Sequence, residues 1–289
     1  MNIDPKIDFD YAQIGGVKLH YAKAGTGERL VVLLHGFPEF WYSWRRQIAA
    51  LGDEYTVVAP DMRGFNLSDK PPAVSDYETD KAVDDITGLI RHMGREKAAV
   101  IGHDWGATVA WSVAMKNPEY LWKLGALQVP PISVWRKNQS LNQLLASWYM
   151  FFFQIPGLPE YLFRLNDYAA LEKSLRGTTA RPGVFTDEEI AEYKKAWSEP
   201  GVLPGMLGYY RANIVKRFLS KPEDPPKIQV PTLFIYGEQD KAVLPRTVAG
   251  VGDLIDAPYR EVRIPGSGHW VQQEAPDEVT AAIREFLAD

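Results

Sequence analysis

"AAVIGHDWGA", residues 98–107, decides how this chain is read. Residues 98–101 form a short apolar run, the pattern of a strand buried on both faces. Gly102 and Gly106 then flank His103, Asp104 and Trp105, and apolar residues at helical spacing follow over 106–116. A strand that passes through Gly-x-Asp-x-Gly straight into a helix makes a sharp turn. Its central side chain projects above the sheet, and the helix aims its N-terminal amides at that side chain. Most turns of this kind carry serine at the centre, and this one carries Asp104. An aspartate there could also be a plain helix cap, so its role depends on what the rest of the chain brings to it.

Working outward, buried-strand patterns recur at 30–36, 55–61, 124–130, 231–237 and 260–266, with helical spacing at 42–51, 79–93 and 276–288. The last of these opens on Pro276 and Asp277, a good helix start. Residues 8–24 alternate apolar and polar around Gly15-Gly16, as a hairpin does. Strands alternating with helices after an antiparallel opening predict an α/β core with a mostly parallel central sheet covered on both faces. One interval, 131–226, is aromatic and helical with no buried strand, and Pro222, Pro225 and Pro226 mark the return to the core. The expected organisation is a core of residues 1–130 plus 227–289, with a helical cap of residues 131–226 inserted after the sixth strand of the main sheet.

Composition excludes several classes of function. The chain has 289 residues, 32 Lys+Arg against 37 Asp+Glu, a formal charge of −5 and no cysteine. Disulfides, thiolate metal sites and cysteine nucleophiles are thereby removed. No basic block is available to track a phosphate backbone, so nucleic acid is not an expected partner. No apolar run reaches transmembrane length and the start carries no signal-peptide pattern, so a cytoplasmic protein without membrane insertion is expected, as monomer or homodimer. Neither a metal-ligand cluster nor a phosphate-binding glycine loop is visible, so no metal or cofactor is expected.

Asp104 needs partners. "LLHGFP", residues 33–38, closes a strand at the edge where the turn stands. Where a nucleophile stands in such a turn, an amide of this loop and the amide after the nucleophile form an oxyanion hole, here the backbone N–H groups of Phe37 and Trp105. Of the five histidines, His20 and His92 read as structural or solvated, and His35 as a neutral ring bonded to nearby backbone. His103 faces away from Asp104 along the strand. His269, in a Gly-Ser-Gly turn just before the last helix, stands where the chain order of nucleophile, acid and histidine puts the base. The acid is expected in "GEQD", residues 237–240, where Asp240 is preferred over Glu238. The other position that can carry it, after the preceding strand, reads "LQVPP" and holds Gln128.

A carboxylate needs no base to activate it, and it attacks an sp³ carbon to leave an alkyl ester. A histidine can then activate water against the carbonyl of that ester. Acyl transfer to Asp104 would give an anhydride, a poor intermediate for a hydrolase. Strained epoxides and carbon–halogen bonds remain as substrates.

"HGFPEFWYSW", "DMRGFNLSDKP", "GHDWGA", "GEQD" and "GSGHW" together resemble the epoxide hydrolases of the α/β-hydrolase superfamily, over nearly the whole chain. The resemblance implies two cap tyrosines that bind the epoxide oxygen and protonate it as the ring opens: Tyr149 in "SWYMFFFQIPG" and Tyr210 in "GMLGYYRAN", with Phe152 and Tyr209 as neighbours in register. It also implies a pocket lined by Phe37, Pro38, Trp105, Phe152 and Trp270 that takes a small apolar epoxide and water. Haloalkane dehalogenases share the nucleophile but use Trp or Asn donors, and Trp105 matches one of these. Fluoroacetate dehalogenases carry an arginine pair where this chain has Trp105 and Thr108. A catalytically silent ligand sensor on the same fold is the third reading.

Overall fold

Gly15 and Gly16, at φ 53° and 88°, turn β1 (Asp8–Ile14) back onto β2 (Val17–Ala24) in the antiparallel hairpin expected. The computed structural model describes residue 4, residues 6–219 and residues 225–289. The remaining strands are β3 (Leu30–Leu34), β4 (Thr56–Pro60), β5 (Ala98–His103), β6 (Leu121–Leu127), β7 (Thr232–Gly237) and β8 (Tyr259–Ile264). Their order in the sheet is β1-β2-β4-β3-β5-β6-β7-β8. Every pairing from β4 to β8 is parallel, while β2 joins β4 antiparallel. β3, β4 and β5 are buried at every position, as apolar runs covered by helices on both faces must be.

The helices of the core are α1 (Arg45–Leu51), α2 (Thr79–His92) and α3 (Trp105–Lys116). Between β6 and β7 the described chain runs through α4 (Ile132–Lys137), α5 (Leu141–Ala146), α6 (Trp148–Phe152), α7 (Leu158–Arg164), α8 (Ala169–Thr178), α9 (Asp187–Ser198) and α10 (Val202–Leu219). After β8 come α11 (Val271–Glu274) and α12 (Pro276–Ala288), the latter beginning at the proline the sequence marks. Pro222 lies outside the described residues. No described helix is long and apolar enough to cross a membrane.

Two strands differ from the sequence reading, each for a physical reason. β6 starts at Leu121 and stops at Leu127, ahead of the 124–130 run. Gln128 adopts φ 67° and turns the apolar Val129–Pro131 segment out of the sheet. β8 is an edge strand and carries half-buried Arg260 and exposed Glu261 and Arg263, charges that block pairing with another chain.

The helical excursion is fastened to the core at a few specific points. Gly64 and Gly205 meet backbone to backbone, for a Cβ on Gly205 would stand 2.6 Å from the Gly64 carbonyl oxygen. Nearby, the Asn213 amide accepts from the Thr79 N–H at 3.0 Å and donates to the Tyr77 carbonyl at 2.8 Å. These contacts fix α10. The Arg211 guanidinium then holds Glu160 of α7 bidentately, at 2.6 and 3.0 Å, and bonds the Phe153 carbonyl after α6. Tyr149 on α6 and Tyr210 on α10 are placed by this frame.

Candidate active site

Asp104 sits at φ 52°, a backbone conformation few residues other than glycine tolerate. The flanking glycines make the turn possible. A Cβ on Gly102 would lie 2.1 Å from the Gly106 carbonyl oxygen, and one on Gly106 would lie 2.2 Å from that of Leu34. The Asp104 side chain makes no cap to α3, so the plain capping role is not what the carboxylate does. Instead Oδ1 accepts from the Phe37 N–H at 2.9 Å, and Trp105 opens α3 directly after it.

His269 Nε2 lies 3.7 Å from Asp104 Oδ2, and its Nδ1 lies 2.8 Å from Asp240 Oδ2. The other Asp240 oxygen accepts from the Ala242 and Val243 amides at 2.7 and 2.9 Å, so the acid is held by its own loop. Glu238 is exposed. Burial alone would lower the His269 pKa, but the Asp240 and Asp104 charges outweigh it and hold the pKa well above the ordinary imidazole value. Burial likewise works to raise the Asp104 pKa, and contact with His269 outweighs it and lowers the carboxyl.

Tyr149 and Tyr210 share a cavity of about 280 Å³ with Asp104 and Trp105. The Tyr149 and Tyr210 rings meet edge to face at 5.9 Å, and the Trp105 ring meets that of Tyr210 edge to face at 5.1 Å. Burial, followed by the other phenol and the Asp104 charge, pushes the Tyr210 pKa well up; burial and the Asp104 and Asp240 charges do the same to Tyr149. Both hydroxyls therefore keep their protons at any ordinary pH. Tyr209, the neighbour in register, is fully buried against Phe65, Tyr77 and Trp105, and its hydroxyl has no hydrogen-bond partner among the described residues.

The cavity wall differs from the expected lining. Trp105 belongs to it, whereas Phe37, Pro38, Phe152 and Trp270 do not. Phe37 packs behind Tyr210, Phe153 and Phe163. Pro38 gives its carbonyl to the Trp197 indole, and Phe152 packs on Trp148 and Phe153. The Trp270 indole turns toward α8, donating to the Leu175 carbonyl and the Thr178 hydroxyl. Thr108, Trp111 and Met115 of α3, with Val129, Trp135 and Met150, supply the wall instead. The i, i+3/i+4 spacing of Thr108, Trp111 and Met115 behind Asp104 is the signal that could have found them.

Sequence reading also passed over the support beneath the turn. His103 Nδ1 lies 2.9 Å from Glu39 Oε2, and its Nε2 lies 2.8 Å from the His269 carbonyl oxygen, all fully or nearly fully buried. Both ring nitrogens of His103 face oxygens, so the ring joins the Glu39 carboxyl to the backbone of the His269 loop. The Gln272 and Gln273 amides complete the cradle of Glu39. His35 donates from Nδ1 to the Gly36 carbonyl and accepts at Nε2 from the Met62 N–H, and burial lowers its pKa, as expected of a neutral structural ring. His20 is buried on Asp61, at 2.7 Å, and His92 is exposed.

A strand-to-helix turn presenting an acid to a histidine from the far end of the sheet, beneath a helical excursion after the sixth strand, defines an α/β-hydrolase. A family model described as the alpha/beta hydrolase fold matches residues 29–276, and the chain belongs to that family. Its relatives place it among the epoxide hydrolases within the family. Epoxide hydrolase 3 of Mus musculus is 36% identical over 280 residues, 95% of this chain and 75% of the mouse protein. The crystal structure of Bacillus megaterium epoxide hydrolase in complex with an inhibitor superposes with a TM-score of 0.89 at 32% identity, covering 97% of this chain and 100% of that one. An AB hydrolase superfamily protein of Bacillus subtilis (strain 168), YfhM, is 43% identical over 281 residues, 96% of each chain.

Proposed function

We propose that this protein hydrolyses small apolar epoxides to vicinal diols through a covalent ester on Asp104. Residues 131–226 act as the cap, and the chain works as a monomer or homodimer in the cytoplasm. The observation that carries the reading is the convergence of Asp104, Tyr149 and Tyr210 on one mostly apolar cavity, with His269 beside the carboxylate.

In the first step Asp104 attacks a ring carbon, the ring C–O bond breaks, and the oxygen takes a proton from Tyr149 or Tyr210. Two buried phenols are suited to this because an alkoxide is a far stronger base than a phenolate. Alkylation removes the negative charge of Asp104. That charge is one of the causes holding the His269 pKa up, so alkylation lowers it, and the imidazolium proton passes to the phenolate left by ring opening, which frees His269 as the base. It takes a proton from water as the water attacks the Asp104 carbonyl, and the Phe37 and Trp105 amides stabilise the tetrahedral oxyanion. Collapse breaks the acyl C–O bond, the departing diol oxygen takes the proton from His269, and the proton left on the new carboxyl passes to His269, restoring the carboxylate with one oxygen from water. Asp240 holds the His269 ring in orientation throughout.

A dehalogenase would use the same nucleophile. Against it, the Trp105 ring packs edge to face on the Tyr210 ring, and Thr108 stands where a carboxylate-clamping arginine would be needed. A panel of terminal, aryl and trans-disubstituted epoxides with diol detection tests the reading. Diol from at least one class is expected. Halide release from bromoalkanes without any diol would replace this reading with the dehalogenase, and epoxide or diol binding without turnover would replace it with the sensor.

A further inference from the structure

We infer that Gln128 is a positioning residue that clamps the loop carrying Asp240 to the loop carrying His269. It occupies the end of β6, where an acid would stand if the triad were built from that strand, and its backbone is under strain. Gln128 has φ 67°, and the Val129 N–H donates to the Leu127 carbonyl at 2.8 Å, so Gln128 is the central residue of a tight three-residue turn. Turns of this hand are rare because an L side chain crowds its own backbone, and a non-glycine residue stays in one only where its surroundings over-determine it.

The surroundings that hold it are the two catalytic loops. The side chain is buried. Its Oε1 accepts from the Gly237 N–H at 2.9 Å, at the head of the Gly237–Asp240 loop, and its Nε2 donates to the Gly268 carbonyl, next to His269. One amide thus reaches both loops, with its acceptor on one and its donor on the other. Here the loops touch at bare backbone, since a Cβ on Gly237 would stand 2.4 Å from the Ser267 carbonyl oxygen. The Gln239 N–H donates to that same carbonyl, at 2.9 Å. The Gly-Ser-Gly turn is therefore held at Ser267 and Gly268. The 2.8 Å spacing of Asp240 and His269 is set across this seam.

The chemistry of the clamp separates it from mere filling of space. A carboxylate in place of the amide cannot donate to the Gly268 carbonyl, whereas a protonated carboxyl can, and it still accepts from Gly237. Gln128→Glu is therefore expected to work at acid pH and to fail as its carboxyl ionises. Gln128→Leu, of similar size, loses both contacts at every pH.

This inference rests on the epoxide-hydrolase reading for its activity readouts. The Gln128 amide bonds Gly237 and Gly268 and neither the Phe37 loop nor the Asp104 turn, so ester hydrolysis suffers and ester formation does not. In single-turnover experiments with an epoxide the parent converts, Gln128→Glu is expected to form the ester at the parental rate. It is then expected to hydrolyse the ester on the order of 10- to 100-fold more slowly at alkaline pH and near the parental rate at acid pH. Ester should accumulate by intact mass at the higher pH. A pH profile parallel to that of the parent, or equal slowing of both steps, overturns the inference. Should the parent convert no epoxide, that reading falls on its own, and the NMR titration of the His269 imidazole decides the clamp instead. In that titration Gln128→Glu is expected to match the parent at acid pH and to depart from it as pH rises, and a match throughout overturns the inference. If Gln128→Leu does not fold, Gln128→Glu carries the test alone.

Discussion

His269 Nε2 stands 3.7 Å from Asp104 Oδ2, while the Phe37 amide holds the other carboxylate oxygen at 2.9 Å. That separation is too long for a hydrogen bond and short enough for strong charge coupling. It suits a base that waits beside the nucleophile and acts on water only after the nucleophile is spent. His269→Gln is therefore expected to alkylate normally and to lose steady-state turnover by at least about 10²-fold. Intact mass spectrometry should show protein carrying the mass of the epoxide on Asp104, and absence of that adduct with a substrate the parent converts would refute the covalent route.

The tyrosines act on the opposite step. Replacing both Tyr149 and Tyr210 with Phe removes the proton donors and is expected to slow ester formation by about 10²-fold or more. Because both phenols are pushed above the ordinary value, alkylation by the parent should show no fall from phenol ionisation up to about pH 10. Single-turnover rates between pH 7 and 10 check both points, and unchanged alkylation by the double variant would sink the proton-donor role.

The charge coupling has a signed pH consequence. His269 is raised in the fold, so its contribution to stability is fully present below its unfolded value of about 6.5 and is lost as pH rises through the folded value. Asp104→Asn removes one of the raising charges. The His269 imidazole is then expected to titrate lower by NMR, and the pH-dependent part of the stability difference from the parent should shrink at alkaline pH. An imidazole that titrates at or above the parental value in Asp104→Asn would contradict the coupling.

What the sequence made legible follows local rules. Gly15-Gly16, the apolar runs and the Gly-x-Asp-x-Gly turn are nearest-neighbour patterns, and each appears as a hairpin, a strand or the elbow. His269 and Asp240 were legible because a parallel sheet gathers its strand ends on one edge. The pocket wall was not, because side-chain direction depends on packing. Trp270 is adjacent to His269 in sequence, yet its indole finds acceptors on α8 and turns away from the cavity. Glu39 was hidden for the same reason: its partners, His103, Gln272 and Gln273, come from distant segments and meet only after folding.

Glycine substitutions should separate fold from chemistry. A Cβ on Gly102 would strike main chain at 2.1 Å, which the backbone can relieve only by moving the elbow. Gly102→Ala is expected to express poorly or to melt well below the parent. A Cβ on Gly36 would instead meet the Asp104 side chain, at 2.4 Å from its Cβ. Gly36→Ala is expected to fold and to displace the carboxylate from the Phe37 amide, with alkylation reduced on the order of 10²-fold. Thermal melts and single-turnover alkylation distinguish the two, and parental alkylation by folded Gly36→Ala would show that the carboxylate's position is not set there.

Glu39 lies beneath the site and gives the sharpest stability expectation. It is buried, it faces His103 at 2.9 Å, and the Gln272 and Gln273 amides donate to it. Glu39→Leu takes the shared acceptor from His103 and from both amides, of which Gln273 keeps the Tyr193 hydroxyl, and breaking a buried, hydrogen-bonded pair from one side costs about 3–5 kcal/mol. His103 also holds the His269 carbonyl at 2.8 Å, so a loss of turnover should accompany the loss of stability. In His103→Leu;Glu39→Leu the orphaned ring is gone, and the double variant is expected to be more stable than the sum of the single effects. Denaturant unfolding of the parent, both single variants and the double variant measures this coupling, and strictly additive effects would mean that the two residues do not act as a pair.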